Sequence, residues 1–137
     1  MKKTLDFAAV AFTALSLLGF IFLAVRGLAG PEQASARFGL PVSDAAGALF
    51  YRVYLSRNLV IAVTALIFLL RRQWTPLAIL ITATAALPIF DMAVLTLSGT
   101  SPPAFHIIAL VLLGATAALL WRRARQATRE PAPEGRR

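Results

Sequence analysis

The sequence predicts an all-α protein: a four-helix transmembrane bundle with a short interfacial helix in the first extracytoplasmic loop. Hydrophobic residues make up 58% of the 137 residues, and the mean hydropathy of +0.73 is well above that of a soluble domain. The apolar residues form four runs, each close to the ~20 residues that cross the hydrocarbon core of a bilayer as a helix. The predicted spans are about 5–25, 48–70, 76–97 and 104–121.

These spans leave little sequence for a separate soluble domain. We therefore predict one transmembrane domain over residues 1–126, followed by a basic, disordered cytoplasmic tail over residues 127–137. The chain contains no cysteine, which excludes disulfides, thiolate metal sites and thiol catalysis.

The basic residues outside the spans predict the orientation. One side of the membrane would hold ten of them: Lys2, Lys3, Arg71, Arg72, Arg122, Arg123, Arg125, Arg129, Arg136 and Arg137. The loops on the other side hold only Arg26 and Arg37. Cytoplasmic segments are rich in Lys and Arg, so we predict a multi-pass protein of the bacterial cytoplasmic (inner) membrane with both termini in the cytoplasm. The lipid bilayer is then the partner of the basic tail, and no nucleic acid is predicted to bind.

The N-terminus shares features with a signal peptide, because Lys2 and Lys3 precede an apolar run. This run exceeds the 7–15 residues of a signal-peptide core, and Asp6 interrupts its start. An uncleaved first helix is the favoured interpretation.

The first loop contains the start and stop residues of a short helix. Pro31 suits the first helical position, Glu32 suits the first turn, and Gly39 suits the residue that ends a helix. This helix is either an interfacial linker, which is the favoured interpretation, or a lid over a site below it.

Polar residues share one face of the second span. Tyr54, Arg57 and Asn58 follow the i, i+3, i+4 spacing of a helix, and Ile61 continues it. Arg52 lies on another side, nearer the outer end, where its side chain can reach lipid phosphates.

The third and fourth spans add a kink, an acid and a histidine. Pro88 cannot donate a hydrogen bond to the carbonyl of Thr84, which predicts a kink one turn before Asp91. His106 opens the fourth span.

The predicted topology brings Arg57, Asp91 and His106 into the same half of the bilayer. Arg57 would lie ~14 Å and Asp91 ~10 Å from the outer surface, at 1.5 Å per residue. A charge in hydrocarbon costs at least ~2.5–3.5 kcal/mol, so we expect a buried Arg57–Asp91 contact. The pair either locks two spans together or forms the floor of a cavity, with His106 positioned for proton transfer.

These positions define the candidate site. The candidate catalytic residues are Asp91, His106 and Arg57, and the candidate ligand-binding residues are Tyr54 and Asn58 together with those three. One histidine and one carboxylate are too few ligands for zinc, and no nucleotide or phosphate motif is present, so neither a metal nor a cofactor is predicted.

Two classes of function fit this site. In the first, the protein binds, and can transform, a lipid-like or isoprenoid-like small molecule. In the second, it is a non-catalytic assembly or partner subunit of a membrane complex, or a homo-oligomer, that associates through small-residue edges such as Gly114 and Ala118. Whether the protein is an enzyme is left open.

Several short motifs between Pro31 and His106 resemble a known family. They are PEQASARFGLP, YRVYLSRN, LPIFD and the histidine that opens the last helix. They are similar to a bacterial family of small four-helix membrane proteins of unknown function, in the broad neighbourhood of DoxX-like proteins. The resemblance implies an inner-membrane bundle with Arg57, Asp91 and His106 as its polar core, and it implies no reaction. The family has an acidic residue where this chain has Asn58, so a site that uses this position would be altered here.

Overall fold

The computed structural model describes the backbone of residues 2–128 and the side chains of residues 7–128. Over these residues the regular elements are all helices, and no strand is present. The helices are α1 (Lys2–Ala29), α2 (Pro31–Phe38), α3 (Ala45–Leu70), α4 (Trp74–Thr84), α5 (Ala86–Leu97) and α6 (Ala104–Ala127). The predicted fold class is confirmed. Most of the predicted basic tail, residues 129–137, lies outside the described residues.

Four helical segments are long and apolar enough to cross a membrane. They are Phe7–Ala29, Ala45–Leu70, Trp74–Leu97 and Ala104–Ala127. Only 17–28% of each apolar window is buried inside the bundle, and large side chains such as Phe50 and Leu97 are exposed. An apolar outer surface on this scale indicates a multi-pass membrane protein, because soluble monomers rarely expose large contiguous apolar patches.

Local residues explain the ends of α2 and α3. Pro31 opens α2, and Gly39 ends it in the left-handed region, at a φ of 104°, with its N–H donating to the carbonyls of Ala36 and Ser35. Asp44 caps α3, since its side chain accepts a hydrogen bond from the N–H of Gly47 at 2.6 Å.

The third span is broken where the sequence predicts a kink. α4 ends at Thr84, and α5 begins at Ala86 with Pro88 in its first turn. The two segments share Ala85, the residue that closes one helix and opens the next. The break follows from the missing N–H of Pro88.

Packing is tight in the half of the bundle farther from α2. There α1 packs on α3 and α4 packs on α6. The buried core consists of Leu17, Ala65, Leu69, Leu77, Ala78, Ile81, Leu113, Ala117 and Leu120. The alanines let the helix backbones approach closely, as small residues do in membrane bundles. We refer to the opposite end of the bundle, which carries α2 and the α5–α6 loop, as the α2 end.

Aromatic contacts join helices at the end remote from α2. The indole N–H of Trp121 donates to the hydroxyl of Thr82 at 3.0 Å, and the guanidinium of Arg123 lies 5.3 Å from the ring centre of Trp74. These contacts hold α4 against α6. The α2 end is the more open half of the bundle.

Candidate functional site

A cavity of about 590 Å³ lies within the α2 end. Its floor is apolar and consists of Leu17, Ala65, Ile81 and Leu113, which all belong to the buried core. Residues from every helix contribute to its wall. The cavity is bounded by α1, α2 and α3 on one side and by α4, α5 and α6 on the other.

The mouth of the cavity is polar. It carries Arg26 from the last turn of α1 and Gln33 and Arg37 from α2, and all three are exposed. Because α2 contributes to this wall, it is more than a connection between two spans. α2 thus covers part of the cavity, and its role as a lid stays a prediction.

The cavity-facing side of α3 carries two of the predicted ligand-binding residues. Tyr54 and Asn58 both line the cavity, as does Ile61 one turn further on. Tyr54 interacts with the side chains of both Asn58 and Asp91. It is therefore the residue that connects the cavity to the acidic group on α5.

Arg57 does not share this position. It is adjacent to Asn58 in sequence, so its side chain is rotated by about 100° around the helix, and it is exposed on the outside of the bundle. Among the side chains of residues 7–128, the only ion pair within 4.0 Å joins His106 and Asp91. The expected Arg57–Asp91 pair is not confirmed.

Asp91 and His106 lie together, as the topology predicts. The Nδ1 atom of His106 is 3.9 Å from Oδ2 of Asp91, and the imidazole is 1% exposed. The Nε2 atom lies 3.1 Å from the carbonyl oxygen of Phe38. A carbonyl oxygen only accepts, so Nε2 carries the hydrogen and donates it. Nδ1 is left facing the carboxyl group of Asp91.

Phe38 is the centre of an aromatic cluster at the α2 end. Its ring lies edge-on to Tyr54 and His106, with ring centres 5.6 and 4.8 Å apart. It also contacts Tyr51 and Phe105, each at 6.2 Å. Because Phe38 is the last residue of α2, this cluster fixes α2 against α3 and α6.

The kinked third span contributes one polar side chain, Thr84, to the wall. Thr84, Leu87 and Pro88 line the cavity on either side of the break. The Thr84 hydroxyl donates to the carbonyl of Leu80 at 2.8 Å, which satisfies it within its own helix. Asp91, one turn past Pro88, is half-buried and is not part of the cavity wall.

Sequence reasoning missed most of the cavity wall. It identified Tyr54 and Asn58 but did not assign Arg26, Gln33, Arg37 or Phe105 to a site. A signal was present in α2, where Gln33 and Arg37, and separately Ala34 and Phe38, are four residues apart and share faces. Among the described residues no group of three His, Cys, Asp or Glu side chains could hold a metal ion.

Comparison with known proteins identifies a family whose function is not known. No curated protein and no solved structure matches the chain. One family model matches residues 18–120, and it is described as a domain of unknown function, DUF4267. The match covers α2 to α5 and all of the cavity-lining residues named above except Leu17. It does not test the likeness to DoxX-like proteins or the bacterial origin, which stay predictions. Since the match covers most of the chain, the protein belongs to the DUF4267 family.

Proposed function

We propose that this protein binds a lipid-like or isoprenoid-like small molecule in the cavity of the α2 end. The observation that carries the proposal is the cavity itself, whose volume of about 590 Å³ falls within the ~300–1,000 Å³ of small-molecule sites. Its walls are mostly apolar, with a few polar groups at defined places, as is usual for such sites. A hydrophobic ligand suits a cavity that lies within membrane-spanning helices.

The wall suggests how such a ligand is held. An apolar chain would pack on the floor formed by Leu17, Ala65, Ile81 and Leu113. A polar group on the ligand would bond to Tyr54 or Asn58, the two candidate ligand-binding residues that line the cavity. We assign these two residues direct contact with the ligand.

Asp91 and His106 support this arrangement from behind the wall. Asp91 interacts with Tyr54, and His106 donates to the carbonyl of Phe38. Both partners line the cavity. We assign Asp91 and His106 the role of positioning residues, and the proposal is one of binding without a chemical step.

We propose that the mouth of the cavity faces the extracytoplasmic side. Arg71 and Arg72 follow α3, and further arginines occupy the last turns of α6, at the end remote from α2. The positive-inside rule assigns that end to the cytoplasm. We therefore propose a protein of the bacterial cytoplasmic membrane with both termini inside.

Filling the cavity tests the proposal. Ala109 lines the cavity on α6, whereas Ala115 is exposed on another side of the same helix. Ala109→Phe should remove binding of oleyl alcohol and geranylgeraniol, and Ala115→Phe should not. The readout is the ligand-induced rise in Tm in a nonionic detergent, because a bound ligand stabilises the fold by RT ln(1 + [L]/Kd). Equal shifts in both variants, or no shift in the wild-type protein, would contradict the proposal.

A second candidate is the assembly subunit, and Arg57 favours it. The residue lies twelve positions into α3, ~18 Å from the start of the helix at 1.5 Å per residue, and it faces outward. An exposed charge at that depth is costly in lipid unless a partner or water covers it. If Arg57→Leu lowers the mass of the purified complex in light scattering while cavity binding persists, the protein has both properties. A monomeric wild-type protein would remove this candidate.

A further inference from the structure

Two arginines, Arg26 and Arg37, stand at the mouth of the cavity. They come from different helices, each from the last turn before a glycine. They are also the two basic residues that the sequence places in the predicted extracytoplasmic loops, against ten on the other side. Basic residues are rare on the translocated side of membrane proteins. Both of these residues nevertheless line the same cavity.

Neither arginine has a carboxylate within 4.0 Å among residues 7–128. The cavity wall itself contains no Asp or Glu, and its other polar side chains (Gln33, Tyr51, Tyr54, Asn58 and Thr84) are neutral in character. The mouth is therefore cationic, and the cavity wall offers no carboxylate to pair with a positively charged head.

The cationic mouth lies opposite an apolar floor. Leu17 on the floor and Arg26 at the mouth are nine residues apart on α1, a separation of ~14 Å along the helix. Leu17 is buried with 4% of its surface exposed, and Arg26 is exposed. The two ends of the cavity thus match the two ends of an amphiphile.

We infer that the cavity takes a single-chain amphiphile with an anionic head, a carboxylate or a phosphate. The inference rests on the proposed function and specifies its ligand class. The guanidinium group suits this role because its planar set of N–H donors fits carboxylate and phosphate oxygens in pairs. The chain of the ligand points to Leu17 and Leu113, and its head lies between Arg26 and Arg37.

Four probes with the same kind of chain test the ligand class. They are oleate, oleyl phosphate, oleyl alcohol and oleylamine, titrated against the full-length protein in a nonionic detergent and read out as occupancy by native mass spectrometry. For the wild-type protein we expect Kd for at least one of the acidic probes to be about tenfold lower than for oleyl alcohol, a difference of about 1.4 kcal/mol. Comparison of oleate with oleyl phosphate tells which head is preferred. Oleylamine should bind most weakly.

Two matched double variants distinguish the effect of the arginines at the mouth from the effect of positive charge elsewhere on the surface. Arg26→Gln with Arg37→Gln should remove the preference, so that the acidic probes and oleyl alcohol bind this variant with equal Kd. An unchanged Tm of the ligand-free variant shows that it is folded. Arg52→Gln with Arg71→Gln removes the same charge from exposed positions outside the cavity wall, and it should keep the preference. Equal loss in both double variants would overturn the inference.

Failure of the inference differs from failure of the proposed function. If all four probes bind the wild type equally and Ala109→Phe blocks them, the cavity binds hydrophobic molecules but does not select an anionic head. If no probe binds the wild-type protein, both proposals are wrong. Tighter binding of oleylamine than of oleate would overturn the anionic assignment alone.

Discussion

His106 is the residue at which three parts of the protein meet. Its Nε2 atom donates to the carbonyl of Phe38 on α2, its Nδ1 atom faces Asp91 on α5, and it belongs to α6 itself. With 1% of its side chain exposed, the residue has little access to water that could replace these partners. Many histidines at the start of a membrane helix are simply solvated at the interface. His106 is instead buried and contacts residues of two other helices.

Two substitutions of His106 should isolate the contribution of its hydrogen bond to stability. His106→Gln can still donate an N–H to the Phe38 carbonyl, whereas His106→Leu leaves that carbonyl without its side-chain donor. We expect the leucine variant to be less stable than the glutamine variant by about 1–3 kcal/mol, the usual cost of a buried group without a partner. Reversible unfolding in a mixed-micelle titration with SDS measures the difference.

Binding provides the control for these variants. Since His106 does not line the cavity, His106→Gln should keep the ligand-induced Tm shift of the wild type. If the glutamine and leucine variants unfold alike, the hydrogen bond to Phe38 does not stabilise the protein.

At the scale of the element, local sequence rules predict the helices and their breaks. Pro31 and Gly39 delimit α2, and Pro88 breaks the third span after Thr84, because each acts on its own backbone within one turn. Which side of α3 faces the cavity is a different matter. The i, i+3, i+4 pattern places Arg57 with Tyr54 and Asn58, but the packing of α1 on α3 turns Arg57 outward.

The end of α2 gives a prediction with a matched control. Gly39 and Gly99 both have positive φ, 104° and 78°. A Cβ on Gly39 would lie 3.1 Å from the ring of Pro103 and 3.3 Å from Leu95, whereas a Cβ on Gly99 would meet nothing within 4 Å. Gly99→Ala should therefore lower the free energy of unfolding by about 1–2 kcal/mol, which is the cost of placing a residue with a Cβ at positive φ. Gly39→Ala should cost more, because the proline ring cannot rotate away.

The comparison of the two alanine variants uses the free energy of unfolding in the same detergent. Gly39→Ala should also weaken ligand binding, because α2 carries Gln33 and Arg37 of the cavity mouth. Equal stability of the two variants would mean that α2 does not pack tightly against the α5–α6 loop.

At the scale of the whole molecule, composition predicts the bundle and not the cavity. Four apolar runs of membrane-spanning length are enough to predict four long helices. The cavity depends on how the helices pack, and this follows from contacts between residues far apart in the sequence, such as the core contacts that bring Leu17, Ala65 and Leu113 together. Likewise, the aromatic contacts of Phe38 with Tyr54 and Phe105 join three helices. No periodicity within a single helix could reveal them.

The orientation of the molecule decides which compartment can supply the proposed ligand, and the absence of cysteine from the sequence makes this orientation testable. Ser43 precedes α3 and Gln73 follows it, and both are exposed. Single cysteines at these positions therefore report the two ends of the same helix. In intact spheroplasts a membrane-impermeant maleimide should label Ser43→Cys and not Gln73→Cys, and both should react after permeabilisation. This result would place the cavity mouth, with Arg26 and Arg37, outside the cytoplasm. Labelling of Gln73→Cys alone in intact spheroplasts would reverse the topology, so that an amphiphile would enter from the cytoplasmic leaflet instead.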